Sequence, residues 1–353
     1  MKRQCGECTL CCKLLPAAEF DKPAGVRCAR AAADGRASMT AVNCNDPVSC
    51  QTDGIVKEGM PVAIRKDRAI GALVGLAVGD AVGTTLEFKS RDSYEHLTDM
   101  VGGGPFGLAP GEWTDDTSMA LCLADSLIAN DGKIDQADLL ERFVRWWRLG
   151  ENSHSGRCFD IGNTTTRALE AYRQSGSLVN NAEENRQANG SIMRLAPAVI
   201  AAKAKTDAQV LAVLQGETTH AAPEPKMACS VMAGVLWDAI LTGFVPPYVS
   251  RLGQTPRALV SSSGHVWRTF DAACWAVAST LTFKDAVLAA ANLGDDADTV
   301  AAVAGQIAGA IYGYGAIPQD WRDKLAWHDS IVTRAEELWA IRVANAPELD
   351  DED

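Results

Sequence analysis

Two short runs of the sequence carry more acid than a helix end needs. Thr114-Asp115-Asp116-Thr117 and Asp295-Asp296-Ala297-Asp298-Thr299 each precede an apolar stretch and each offer at least two carboxylates beside hydroxyls. One such cluster alone reads as a helix N-terminus, because Asp and Thr cap helices and acids in the first turn complement the helix dipole. A cap, however, uses one oxygen acceptor. Further carboxylates repel one another unless a cation neutralises them. Oxygen donors of this kind suit hard ions such as Mg²⁺, Mn²⁺ or Ca²⁺ and not zinc. Two clusters facing each other would hold a pair of ions about 3.5–4 Å apart, the spacing that lets two metals share a water and a substrate.

The elements that must position these acids read as helices. From about Arg65 the chain consists of long Ala/Val/Leu/Gly stretches, and alternating β-type patterns bounded by hairpin turns are nearly absent. Helices are predicted over 66–83, 117–130, 135–149, 163–175, 192–204, 207–216, 225–243, 268–280, 283–292, 298–312, 319–327 and 329–344, which makes an all-α domain. Glycine recurs every fourth residue at Gly71, Gly75, Gly79 and Gly83, and again at Gly305, Gly309 and Gly313. Residues four apart share a helix face. Each Gly inside a helix costs about 0.5–1 kcal/mol relative to Ala, so two such stripes predict helices packed backbone to backbone around a central site.

The first sixty residues differ. Seven of the 11 cysteines fall there, and Cys5, Cys8, Cys11, Cys12 and Cys28 are spaced for metal ligation, zinc ahead of iron, in a reducing compartment. Residues 1–60 are therefore expected to form a cysteine-rich extension, 61–345 the helical domain, and 346–353 a disordered acidic tail. The net charge of −12 argues against a nucleic-acid or anionic-membrane partner, since phosphate contact needs clustered Lys and Arg. Met1-Lys2-Arg3 leads into cysteines and not an apolar run. The apolar stretch Ala69–Val82 is short for a membrane span and contains Asp80, so a cytoplasmic location is expected.

Four motifs taken together resemble the ADP-ribosylglycohydrolase family: GLAVGDAVGTTLEF at 75–88, EWTDDTSM at 112–119, NGSIMRLAP at 189–197 and NLGDDADTVAAVAGQIAGAIY at 292–312. The match spans about 66–340. It implies a compact orthogonal multi-helix bundle with a binuclear Mg²⁺ or Mn²⁺ centre ligated by Thr114, Asp115, Asp116, Asp296, Asp298 and Thr299. It also implies that Glu87 is the catalytic acid/base or water-orienting group, acting with Asp116 and Asp296. Asp295 departs from the Gly common in relatives. Substrate contacts carried over from the family are Asn189, Gly190, Ser191, Met193, Arg194, Gly162, Asn163, His220 and Tyr312, with the 189–191 loop on the diphosphate.

Beside those roles stand plainer ones. Tyr312 reads equally as a core tyrosine, His220 as a hydrogen-bonded structural residue, and Asp80 as a paired charge in an apolar helix. Gly102–Gly107 reads as a lid or turn near the acids. The cysteine segment resembles CxxCxxCC zinc- or iron-chelating domains, except that Asp46-Pro47-Val48-Ser49-Cys50 replaces their usual ending.

The activity implied is hydrolysis of ADP-ribose from a modified protein side chain, arginine first. The alternatives are another ADP-ribose conjugate (serine-linked, nucleic-acid-linked or small molecule) and a non-catalytic binder or immunity protein against an ADP-ribosylating toxin.

Overall fold

A computed structural model describes residues 61–345 together with the backbone of 30–31 and 37–38. The chain divides into two units, Met1–Glu58 and Gly59–Asp353. In the first, Arg30–Ala31 pairs antiparallel with Ala37–Ser38. The ligating cysteines and the acidic tail anticipated from sequence lie outside the described residues.

Among the described residues the second unit is helical throughout: α1 (Val62–Gly83), α2 (Asp115–Ala129), α3 (Gln136–Leu149), α4 (Asn163–Ser175), α5 (Ala196–Ala201), α6 (Lys205–Glu217), α7 (Pro223–Thr242), α8 (Pro247–Ser250), α9 (Val266–Ala278), α10 (Phe283–Ala291), α11 (Ala297–Tyr312), α12 (Gln319–Lys324) and α13 (His328–Asn345). This is the expected all-α fold.

Its centre is the pairing of α1 with α11, and the glycine stripes explain it. The two helices run antiparallel with their backbones in contact. A Cβ placed on Gly75 would lie 2.3 Å from the carbonyl oxygen of Gly305, and one on Gly309 would lie 1.9 Å from that of Gly71. Further along, Gly79 meets Ala301, and Gly83 meets Ala297. No side chain larger than hydrogen fits these positions without moving backbone. The geometry also fixes where the helix ends lie: the C-terminus of α1 must sit beside the N-terminus of α11. α1 starts earlier than expected and, with the turn that follows, is long and apolar enough to cross a membrane. Yet 94% of its apolar window is buried inside this unit.

One predicted helix is much shorter than expected. In place of 192–204, only Ala196–Ala201 is helical, preceded by a turn. Pro197 has no N–H to donate to the carbonyl of Met193. That carbonyl instead accepts from the Gln306 side chain at 2.7 Å, while Gln306 Oε1 accepts from the Ala196 N–H at 2.9 Å. A proline fits in the first turn of a helix, so α5 begins there and the residues before it are free to form a loop.

Candidate active site

The ends of α1, α2 and α11 meet, and their acids meet with them. Asp80, in the last turn of α1, is fully buried and accepts four hydrogen bonds. Oδ1 takes the N–H and hydroxyl of Thr114, each at 2.9 Å, and Oδ2 takes the N–H and hydroxyl of Thr117 at 3.0 and 2.6 Å. The residue at the cap position of α2, Thr114, makes no side-chain cap of its own. Asp80 therefore satisfies the first N–H groups of α2 from another helix, the structural role anticipated for it. Asp115 and Asp116 are left free of capping duty.

Asp116 and Asp298 face each other across this junction. The Thr299 hydroxyl donates to Asp116 Oδ2 at 3.3 Å, and the Thr114 hydroxyl approaches Asp298 Oδ2 at 3.4 Å. Asp116 Oδ1, Asp298 Oδ1 and Glu87 Oε2 are all buried with no hydrogen-bond partner. Three buried carboxylate oxygens without donors are costly unless a cation completes them. Two triads have their oxygens mutually within 4.8 Å, Asp80–Asp116–Asp298 and Glu87–Asp160–Asp298. Asp298 belongs to both, so the two groups of acids adjoin. Because the oxygens of Asp80 are already saturated with donors, Asp116 and Asp298 are the stronger ligands of the first triad. The donor set is all oxygen and fits hard divalent ions.

Charge crowding shows in the acidities. Burial, and then the charges of Asp298, Asp160, Asp115 and Asp296, raise the pKa of Glu87. Burial followed by neighbouring carboxylates likewise raises Asp115, Asp116 and Asp298 well above the usual aspartate range. Asp296 is half-buried, and burial again raises its pKa while a hydrogen bond from Asn189 opposes the shift.

Glu87 is held by its flanks. It follows a 3-10 turn at Thr84–Leu86. The next two residues pair with the α11 entry, Phe88 N–H to Asp295 O at 2.7 Å and Asp295 N–H to Lys89 O at 2.8 Å. Gly294 and Asp295 both have positive φ there, which is what lets the chain double back. Arg91 ties the same region together, donating to the carbonyls of Leu293, Arg257 and Val260 and to Ser262 Oγ. The exposed Asp295 carboxylate accepts from Ser262 at 3.1 Å and lies outside both triads.

The 189–191 loop is adjacent. Asn189 Nδ2 donates to Asp296 Oδ2 and to Thr269 Oγ1, so this asparagine orients a predicted ligand. Gly190 has to be glycine, since a Cβ would sit 2.7 Å from Cε1 of His220. Gly162 and Asn163 are exposed at the start of α4, with open space over Gly162.

Several of the expected substrate contacts lie buried or far from the acids. Arg194 is completely buried, and its guanidinium bonds Gln215 and Thr219 and lies over the Phe143 ring. It braces the loop from behind. His220 is also buried, pairs with the Thr219 hydroxyl, and is held neutral by burial and the Arg194 charge, its pKa pushed down to about 3. It supports the backbone of Gly190. Ser191 and Met193 are buried as well. Tyr312 ends α11, 14 residues beyond Asp298. At 1.5 Å per residue that is about 21 Å along the helix from the acids.

Sequence reasoning missed Asp160, although it singled out the nearby Gly162 and Asn163. In the structure the cap position of α4 is Gly162, so the nearby Asp160 has no capping role to explain it. Its φ of +57° turns it out of the run of the chain. Also missed was a row of aromatic rings beside the acids. Phe106 meets Phe159 at 5.3 Å between centroids, Phe159 meets His154 at 5.7 Å, His154 meets Trp113 at 4.9 Å, and Trp113 meets Trp327 at 5.6 Å. Phe106 sits on the turn Gly102–Gly107. That turn is anchored by a hydrogen bond from Thr85 to Gly102 and by Gly104 packed on Thr84.

Comparison with known proteins bears on this geometry. The ADP-ribosylglycohydrolase family profile matches residues 61–348. The chain is 47% identical over 316 residues to the ADP-ribosylarginine hydrolase Tri1 of Serratia proteamaculans, covering 82% of this chain and 83% of that one. It is 34% identical over 273 residues to the ADP-ribosyl-[dinitrogen reductase] glycohydrolase of Rhodospirillum rubrum, covering 73% and 90% respectively. A solved ADP-ribosylglycohydrolase-related protein complex superposes with a TM-score of 0.69 at 36% identity, covering 80% of this chain and all of that one.

Proposed function

The chain belongs to the ADP-ribosylglycohydrolase family, and from that premise we propose that it releases ADP-ribose from modified arginine side chains of proteins, with two Mg²⁺ or Mn²⁺ ions as cofactors. The convergence of donor-less oxygens from Glu87, Asp116 and Asp298 at the shared end of α1, α2 and α11 carries this reading. The arginine acceptor rests on the 47% identical relative that bears that activity in its name.

Asp116 and Asp298, with Asp115, Asp296, Thr114 and Thr299 around them, would hold the ions. Bound there, divalent cations supply positive charge that fixes ribose hydroxyls and lowers the pKa of a water. The protein's own groups do the rest. With bound cations neutralising the neighbouring acids, Glu87 would be ionised and would take the proton from the attacking water as the anomeric carbon–nitrogen bond breaks. The departing guanidine nitrogen is protonated in turn. Asp160, within 4.8 Å of Glu87, shares that proton. The surrounding carboxylates stabilise the oxocarbenium-like transition state. Asn189 keeps Asp296 aimed at the site.

Release of ADP-ribose from arginine-, serine- and nucleic-acid-linked conjugates, each with Mg²⁺ or EDTA, tests the reading. Metal-dependent release from arginine is expected, and its abolition in Asp296→Asn with the fold retained. Release in EDTA, or from none of the three, would overturn it.

A further inference from the structure

Two aromatic rings stand beside two carboxylates of the site. The segment 158–163 carries Phe159 immediately before Asp160. The turn Gly102–Gly107 carries Phe106 and packs on Thr84 and Thr85, two residues before Glu87. Glu87 and Asp160 come within 4.8 Å of each other. The two rings meet with centroids 5.3 Å apart, tilted at 59°, and both stay half-exposed where core rings of this chain such as Phe143, Phe270 and Phe283 are buried.

The pair is built with care. Gly102, Gly103, Gly104 and Gly107 all have positive φ, and a Cβ on Gly104 would lie 2.1 Å from the Thr84 carbonyl oxygen. The turn is therefore pinned, and Phe106 with it. Phe159 is backed edge-on by His154, whose Nε2 lies 2.9 Å from the carbonyl of Trp113, next to Thr114. The rings are thus tied to both sides of the acidic site.

We infer that Phe106 and Phe159 form an aromatic clamp for the planar cationic leaving group, seating the acceptor guanidinium beside Glu87 and Asp160 and selecting guanidinium-linked over hydroxyl-linked ADP-ribose. The chemistry is specific to that end of the substrate. A guanidinium is flat, weakly hydrated and cationic, so it binds aromatic faces and carboxylates together. A serine hydroxyl offers neither charge nor a flat face. The inference rests on the arginine reading of the site and adds the residues that would enforce it.

The test uses the full chain with Mg²⁺ and three measurements: hydrolysis of arginine-linked and of serine-linked ADP-ribose, inhibition by free ADP-ribose, and inhibition by L-arginine in the presence of ADP-ribose. In Phe159→Leu and in Phe106→Leu, KM for the arginine conjugate and the inhibition constant of L-arginine should each rise roughly tenfold. Inhibition by ADP-ribose and any rate on the serine conjugate should stay within about twofold. Phe159→Tyr, which keeps the aromatic face, should restore wild-type values. Phe106→Leu lies on the surface turn and keeps the test open if Phe159→Leu fails to fold. An equal weakening of ADP-ribose inhibition would overturn the clamp by showing that the rings hold the nucleotide. Unchanged constants in folded variants would overturn it too. A wild-type protein inactive on arginine conjugates would instead remove the functional reading beneath it.

Discussion

The α1–α11 seam and the acidic junction at its end are made by the same two helices, yet they follow opposite rules. Along the seam the contacts are backbone on backbone, with Gly75 against Gly305 and Gly71 against Gly309. At the junction, carboxylates crowd together and three of their oxygens have no donor. Close packing stabilises the first region and is incompatible with change, whereas the second carries unfavourable charge that a ligand can relieve. The rigid region lets the strained one exist, since buried like charges persist only where the surrounding structure holds them.

Breaking the seam should have the largest effect. Gly75→Leu forces a side chain into the Gly305 carbonyl and is expected to cost several kcal/mol, on the order of 3 or more. The outcome is loss of the cooperative thermal transition followed by circular dichroism. Next is Asp298→Asn, which removes a charge common to both triads. Turnover should fall by about 10³-fold, as when an electrostatic group at a reacting centre is deleted. The metal-free melting temperature should hold or rise, because repulsion is relieved. A lower melting temperature would show that the acid stabilises the fold, and the contrast between the regions would fail.

The third expectation concerns pH. Glu87, Asp115, Asp116 and Asp298 all have raised pKa values in the folded chain, so between about pH 4 and those values the folded state binds more protons than the unfolded one. Stability in EDTA should therefore decline as pH rises through neutrality. Added Mg²⁺ or Mn²⁺ should restore it, and by more at pH 8 than at pH 5. Melting curves at the two pH values with and without metal would check the sign. The smallest effect is assigned to Asn189→Ala, which loses the bonds to Asp296 and Thr269 and should lower kcat/KM about tenfold, equivalent to about 1.4 kcal/mol, with little change in melting temperature.

Much of this arrangement was legible in the sequence, for identifiable reasons. The glycine stripes announce a seam because period-four glycine is costly without one. The two acidic runs announce a site because they exceed what a cap requires. Asp160 was harder to see, since a single aspartate before a helix resembles a cap until the structure shows Gly162 in that place. Arg194, His220 and Tyr312 went the other way. Motif order places them near the site in sequence, but burial turns the first two into supports, and the length of α11 carries the third to the opposite end. Side-chain direction and distance along a helix are three-dimensional facts that a motif does not encode. The shortened α5 depended on Gln306, more than a hundred residues away, supplying the bonds that Pro197 disrupts.

The four-bond cap that Asp80 places on α2 also bears on the order of folding. The junction is closed by contacts spanning 34 residues from Asp80 to Thr114, 107 from Asn189 to Asp296, and 184 from Thr114 to Asp298. No local segment can close any of these, and long loops close late, after the contacts that shorten them. The active centre is therefore a signature of completed assembly.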